Sequence, residues 1–118
     1  GATMTGTAWA VGDGEAGPGR ATYYLIANPE GRDGQVKITL LFADGSPAVS
    51  RTFPVLANSR FGVSAGDEFA GLAGKRFGAL IESIGASPVP IVVERAMYAD
   101  NGSETWASGT NLLATRLR

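Results

Sequence analysis

The stretch VPIVVERAMY, residues 89–98, is the strongest indication of a fold class in this sequence. Its run of isoleucine and valines suits a pleated, half-buried strand. Because proline has no N–H to donate to a ladder, the strand is predicted to begin at about Pro90. Apolar and charged side chains alternate so that neither face is cleanly polar. The pattern therefore predicts a strand that is covered, at least in part, on both sides.

Similar extended stretches lie on either side of this one and are separated by turn residues. The clearest alternation points four apolar side chains inward: Val36, Ile38, Leu40 and Phe42. Asp44-Gly45 then predicts a hairpin, and Pro54 indicates that the returning strand is an edge strand. The predicted strands, besides the opening one, are residues 7–11, 20–28, 35–43, 48–55, 60–64 and 76–84, with a final run at 104–117.

Turn residues recur about every 8 to 12 positions, which is typical of an antiparallel sandwich or barrel. Helical periodicity is nearly missing from the sequence. Residues 66–74 are predicted to hold one helical turn at most, with Asp67 as its cap. Phe69 and Leu72 are predicted to close the end of the core beside it. We therefore predict an all-β fold, an antiparallel β-sandwich of about eight strands, with residues 1–118 forming a single domain.

Composition excludes several kinds of chemistry. The 118-residue chain contains no cysteine and no histidine, which excludes disulfide frameworks, thiolate metal sites and Ser-His-Asp or Cys-His catalysis. The net charge of -1, without a basic stripe, argues against nucleic-acid binding. No apolar run approaches the roughly 20 residues of a membrane span. The Gly-rich residues 12–19 precede no helix and are predicted to be a connecting loop rather than a phosphate site. No cofactor is expected.

Three charged residues are predicted to be partly buried because they lie mid-strand among apolar neighbours: Glu82, Glu94 and Arg95. A buried charge needs a partner, so Arg95 is predicted to pair with Glu82 or Glu94 as a structural clamp. If residues 76–84 and 90–98 form a hairpin, Glu82 lies opposite Arg95. If the two strands belong to opposite sheets, that register is broken. A carboxylate pair acting in acid–base catalysis is the alternative function for these residues.

Two further groups are candidates for binding. The loop with Asp100, Asn101, Ser103 and Glu104 offers oxygen ligands of the kind that calcium prefers, but it lacks the full EF-hand spacing, and an ordinary turn is the favoured interpretation. Trp9 and Trp106 lie near opposite ends of the sequence. They are predicted to pack in the core or against a neighbouring module, or else to form an exposed platform for a ligand.

The chain resembles a group of poorly characterised β-sandwich modules found in bacterial secreted and cell-surface proteins, often in tandem. The resemblance is carried by Trp9, YLIANP (24–29), VKITL (36–40), ANSR (57–60), Glu82-Ser83 and IVVERAMY (91–98). It covers most of the chain, to about Gly109. It implies an immunoglobulin-like sandwich in an extracellular or cell-surface setting. No catalytic activity is carried over with it.

The sequence thus predicts a non-catalytic structural or interaction module, excised from a longer exported protein. Its expected partners are neighbouring domains of the same chain or another surface protein. The alternative is a carbohydrate- or peptide-binding module whose specificity lies in the loops at residues 12–19 and 66–74. Neither nucleic-acid binding nor membrane insertion is expected.

Overall fold

Extended backbone dominates the computed structural model, as the alternating apolar pattern predicts. The structure describes residues 5–15, 20–72, 74–100, 105–107 and 112–118. In chain order the elements are β1 (Ala8–Glu15), β2 (Arg20–Asn28), β3 (Gly34–Phe42), β4 (Val49–Val55), β5 (Ser59–Ser64), α1 (Ala65–Glu68), β6 (Arg76–Ile84), β7 (Val92–Asp100), β8 (Thr105–Ala107), β9 (Leu112–Leu113) and β10 (Thr115–Arg116). No helix among these residues has the length and hydropathy needed to span a membrane.

The strands form two antiparallel sheets, which confirms the predicted all-β sandwich. Within the described residues, sheet 1 has the order β10-β1-β6-β3-β4. Sheet 2 has the order β5-β2-β7-β8, with β9 also paired to β7. The predicted hairpin joins β3 to β4, with Leu40 opposite Val49. Strand β4 is an edge strand, as Pro54 predicts.

The core lies between the facing sheets and follows the predicted alternation. On β3, Val36, Ile38 and Leu40 are fully buried, whereas Lys37 points to solvent. Phe69 and Leu72 are buried in the same cluster, as predicted for the end of the core. Burying each large apolar side chain contributes about 1.5–3 kcal/mol to stability, so this inner layer is what holds the sheets together.

Two local predictions are wrong. Residues 12–15 are not a loop: β1 continues to Glu15 and pairs with β6, with a register shift between Val11 and Gly14. The remaining residues of that predicted loop, 16–19, lie outside the described residues. Asp67 does not cap α1, because the helix begins at Ala65 and its N-cap is Ser64.

Both end segments of the described chain cross from one sheet to the other. Gly6 exchanges two backbone hydrogen bonds with Ile91, at the start of β7, before β1 joins sheet 1. The Ala114 amide donates to the carbonyl of Val93 in sheet 2, and β10 then pairs with β1 in sheet 1. These crossings close one side of the sandwich.

Gly6 is the tightest point of this closure, and we expect Gly6→Ala to destabilise the fold. A Cβ at Gly6 would lie 2.4 Å from the backbone oxygen of Arg118 and 2.5 Å from Cδ of Arg116. Overpacking of this kind typically costs about 1–3 kcal/mol. Urea unfolding of Gly6→Ala and of the control Gly31→Ala, where a Cβ meets nothing within 4 Å, measures the difference. Equal midpoints for the two variants would contradict the close approach.

Candidate functional site

Arg95 ties the two sheets together through a backbone carbonyl. It lies on the inner face of β7, opposite Tyr24 of β2, and is 9% exposed. Its Nη1 donates a hydrogen bond to the carbonyl oxygen of Gly12. Gly12 lies where the register of β1 shifts between Val11 and Gly14, so the irregular ladder leaves this carbonyl turned toward the arginine. Charge-assisted hydrogen bonds are among the stronger ones in proteins, so Arg95 acts as a clamp between the sheets.

The prediction that Arg95 pairs with Glu82 or Glu94 is wrong. Strand β6, with Glu82, belongs to sheet 1, whereas β7 belongs to sheet 2, so the hairpin register does not form. Glu82 instead accepts from Arg118, with a distance of 3.2 Å between Nη2 and Oε2. Glu94 precedes Arg95 on a strand and therefore points to the opposite, outer face. The clamp is present, but the group that it binds is a carbonyl.

Tyr24 is fully buried beside Arg95, and its hydroxyl has no hydrogen-bond partner among the described residues. Burial raises the pKa of the Tyr24 phenol above its ordinary value, and the positive charge of Arg95 lowers it by a smaller amount. The neutral phenol is thus strongly favoured in the folded protein. A buried, unpartnered hydroxyl costs about 1–3 kcal/mol of desolvation, so this residue contributes stability through its ring rather than its oxygen.

We expect Tyr24→Phe to be at least as stable as the parent near neutral pH and more resistant to alkali. The folded-state pKa is raised, so the stability that Tyr24 contributes is complete below about pH 10 and falls as pH rises further. Phenylalanine does not titrate. Urea unfolding at pH 9 and pH 11 should show the parent losing about 1.4 kcal/mol more than the variant over that interval. Parallel losses in both proteins would contradict the assigned cause.

Of the two tryptophan side chains, the structure describes that of Trp9. Trp9 is fully buried in the core cluster, and its Nε1 donates to the carbonyl of Gly6 over 3.2 Å. The prediction that Trp9 forms an exposed ligand platform is therefore wrong, and its alternative, that Trp9 packs in the core, is correct. The side chain of Trp106 lies outside the described residues, so its predicted interaction role stays a prediction.

A buried asparagine organises the loops at one end of the sandwich. Asn28 ends β2 and is 1% exposed. Its Nδ2 donates to the carbonyls of Arg32 (2.9 Å) and Val55 (3.3 Å), and its Oδ1 accepts from the backbone N–H of Glu30 (3.0 Å). These three bonds join the β2–β3 turn to the end of β4. Asn28 is the residue at this end that sequence reasoning missed.

The same end is held by four further hydrogen bonds. Arg32 donates to the carbonyls of Ser87 (2.5 Å) and Pro88 (3.3 Å), which fixes the segment that leads into β7. The carboxylate of Asp33 accepts from the backbone N–H of Ala57 over 2.8 Å. Asn58 adopts a left-handed conformation with φ 53° and donates its backbone N–H to Glu30. The ANP and NSR segments of the resemblance thus build this end of the fold.

A polar cluster at residues 44–46 and 75 superficially resembles a Ser-Lys dyad. Nζ of Lys75 lies 2.9 Å from Oγ of Ser46 and 3.5 Å from Asp44, and 5.0 Å from the centre of the Phe42 ring. The Ser46 hydroxyl and then its backbone amide hold the pKa of the Asp44 carboxyl below its usual range. A dyad needs a lysine with a free lone pair, whereas a carboxylate and a ring face are contacts of a cation. The cluster stabilises the β3–β4 turn.

The predicted calcium loop lies outside the described residues, apart from the backbone of Asp100 in β7. Among the described side chains, no group of three or more acidic residues is placed to hold a metal ion. Of the two loops proposed for specificity, residues 66–74 include the last three residues of α1 and contribute Phe69 and Leu72 to the core.

Comparison with solved structures finds the same architecture in other proteins. Thermotoga maritima 1070 superposes with a TM-score of 0.80 at 16% identity, covering 98% of this chain and 97% of that chain. This likeness shows the fold alone. The Anabaena sensory rhodopsin transducer superposes with a TM-score of 0.65 at 26% identity, covering 80% of this chain and 99% of that chain. The chain matches no protein-family model and no curated protein.

Proposed function

We propose that this chain is a non-catalytic structural and interaction module with an immunoglobulin-like sandwich. The main support is that its partly buried or paired charged side chains contact other parts of the fold. Arg95 binds a backbone carbonyl across the core, and Arg32 binds two carbonyls of a loop. Lys75 lies beside Asp44 at a turn. These groups hold the fold together, and a scaffold of this kind presents its surfaces to other molecules.

Signal transfer by protein contact is a second candidate, favoured by the likeness to the Anabaena sensory rhodopsin transducer. That neighbour is matched over 99% of its length at 26% identity. Its name describes a protein that relays a signal from a receptor. Glycan binding, the alternative from sequence, has less support because Trp9 is buried and offers no stacking surface.

The experiment that separates these functions is a parallel binding measurement on the purified chain. Three kinds of probe are used: the neighbouring domains of its own gene product, a glycan array, and detergent-solubilised Anabaena sensory rhodopsin. The Anabaena transducer is the positive control for the last probe. We expect saturable binding to at least one protein probe and none to glycans. Binding to glycans alone would contradict the proposal.

The extracellular or cell-surface setting is part of the proposal and rests on the sequence resemblance. Protease treatment of intact cells that express the full-length gene product tests it. We expect the module to be digested while a cytoplasmic marker protein survives. A module that is cut only after lysis would overturn this setting and leave the interaction role untouched.

A further inference from the structure

Among the described strands, β5 has an unpaired outer edge that carries none of the features that protect the neighbouring edge of β4. Both edges lie on the flank of the sandwich that the 56–58 turn joins. Strand β4 contains Pro54, which lacks a donor, and the charged Arg51. Strand β5, SRFGVS, has no proline and a single charge, and no described strand pairs with its free side. An unguarded edge is a template for pairing with another strand.

The same flank exposes apolar surface next to the open edge. Leu56, in the turn, is 60% exposed and Val49, on β4, is 38% exposed. Phe53 and Phe61 are half-buried and pack against the core from this side. Val49 and Leu56 lie at opposite ends of β4, so apolar surface is exposed at both ends of this flank. Exposed apolar side chains beside an unpaired strand favour an interaction site.

The edge of β5 is complementary to itself. If two copies pair antiparallel about a two-fold axis through Gly62, Phe61 lies opposite Val63 of the second copy on the inner face. Arg60, which is exposed, lies opposite Ser64 of the second copy. Asp67 is also exposed and follows Ser64 by about one helical turn, so the basic end of each strand meets the acidic end of the other. Glu68 is already paired with Arg51 at 2.9 Å.

We infer that a second copy of this chain pairs along β5 and extends sheet 2 into one continuous sheet across a homodimer. This homodimer gives the proposed interaction role one specific partner, a second copy of the chain. It rests on the proposed function only because that function assigns this surface to protein contact. The backbone of the open edge supplies the hydrogen bonds. The pairing of Arg60 with Asp67 sets the register, and the apolar side chains of the flank are covered at the same time.

Cysteine cross-linking tests the register cleanly because the chain has no native cysteine. In the proposed dimer the Gly62 positions face each other across the axis, at a separation that a disulfide can span. A Cβ at Gly62 makes only an ordinary contact of 3.4 Å with Leu25. We expect Gly62→Cys to oxidise to a covalent dimer and the control Ser59→Cys to stay monomeric under the same conditions. The reverse result, or equal cross-linking by both, would overturn the register.

A charge swap tests the contact without a cross-link. Light scattering of the parent chain should give twice the 12.1 kDa monomer mass. Arg60→Glu and Asp67→Arg should each raise the dimer dissociation constant on the order of tenfold, and the double variant should restore it. Both positions are exposed, so circular dichroism should show an intact fold. A monomeric parent, or single variants that dimerise like the parent, would overturn the inference, whereas the proposed function fails only in the separate binding measurement.

Discussion

Asn28→Asp should be the most disruptive isosteric substitution in this chain, with a loss of about 4–5 kcal/mol of unfolding free energy at pH 7. The new oxygen would replace an amide that donates to two carbonyls, those of Arg32 and Val55. The buried carboxyl must then stay protonated, and holding it neutral three pH units above its usual pKa of about 4 costs about 4 kcal/mol. Because this cost vanishes when the unfolded state is also protonated, the deficit should shrink toward about 1 kcal/mol near pH 4.

The matched control for this substitution is Asn58→Asp. Asn58 is exposed, and its described hydrogen bond is made by the backbone N–H. Aspartate also tolerates the left-handed conformation found there, so the control should change stability by less than about 1 kcal/mol. Guanidinium unfolding of both variants at pH 7 and pH 4 is the measurement. A deficit for Asn28→Asp that does not depend on pH would show that the amide of Asn28 does not face the two carbonyls.

Trp9→Ala is the second large effect, with an expected loss of about 3–5 kcal/mol. Trp9 is fully buried where β1 packs into the core, and its indole N–H is bonded to Gly6, next to the crossing between the sheets. Removing the ring leaves a cavity and takes away one of the two hydrogen bonds that the Gly6 carbonyl accepts, while the bond from the Ile91 amide remains. Thermal unfolding followed by far-ultraviolet circular dichroism measures the loss, and Trp9→Phe, which keeps most of the apolar volume, should lose less.

The Trp9→Phe variant also isolates the other indole. The chain has two tryptophans, so the remaining fluorescence comes from Trp106. An interaction role for Trp106 requires an accessible ring, which iodide quenching detects. A Trp9→Ala protein that melts within about 1 kcal/mol of the parent would show that Trp9 is not a core residue.

The sequence predicted the strands well because their stability comes from an alternation that is local. The predicted ranges 20–28 and 76–84 coincide with β2 and β6. It did not predict which sheet each strand joins, since that depends on connections across the core. The segment between Ile84 and Val92 carries the chain from sheet 1 to sheet 2, and its prolines are compatible with either a turn or a crossover.

The hydrogen-bond partner of Arg95 could not be predicted from the sequence for the same reason. A carboxylate is the partner that burial of a guanidinium suggests, but here an irregularity in β1, far away in sequence, turns a carbonyl toward it. The role of Asn28 had a visible signal. An asparagine followed by proline at the end of a strand is typical of a side chain that bonds to the backbone two residues on, as the bond from the Glu30 amide shows.

The antiparallel pairing of β1 with β10 has a mechanical consequence. Trp9 lies opposite Arg116, so the first residues of one strand adjoin the last residues of the other. Tension applied between residues 5 and 118 would pull both strands from the same end and load their few hydrogen bonds one after another, as in opening a zipper. We therefore expect β10 to separate from β1 at low force when the chain is pulled from these two ends, while the rest of both sheets stays folded.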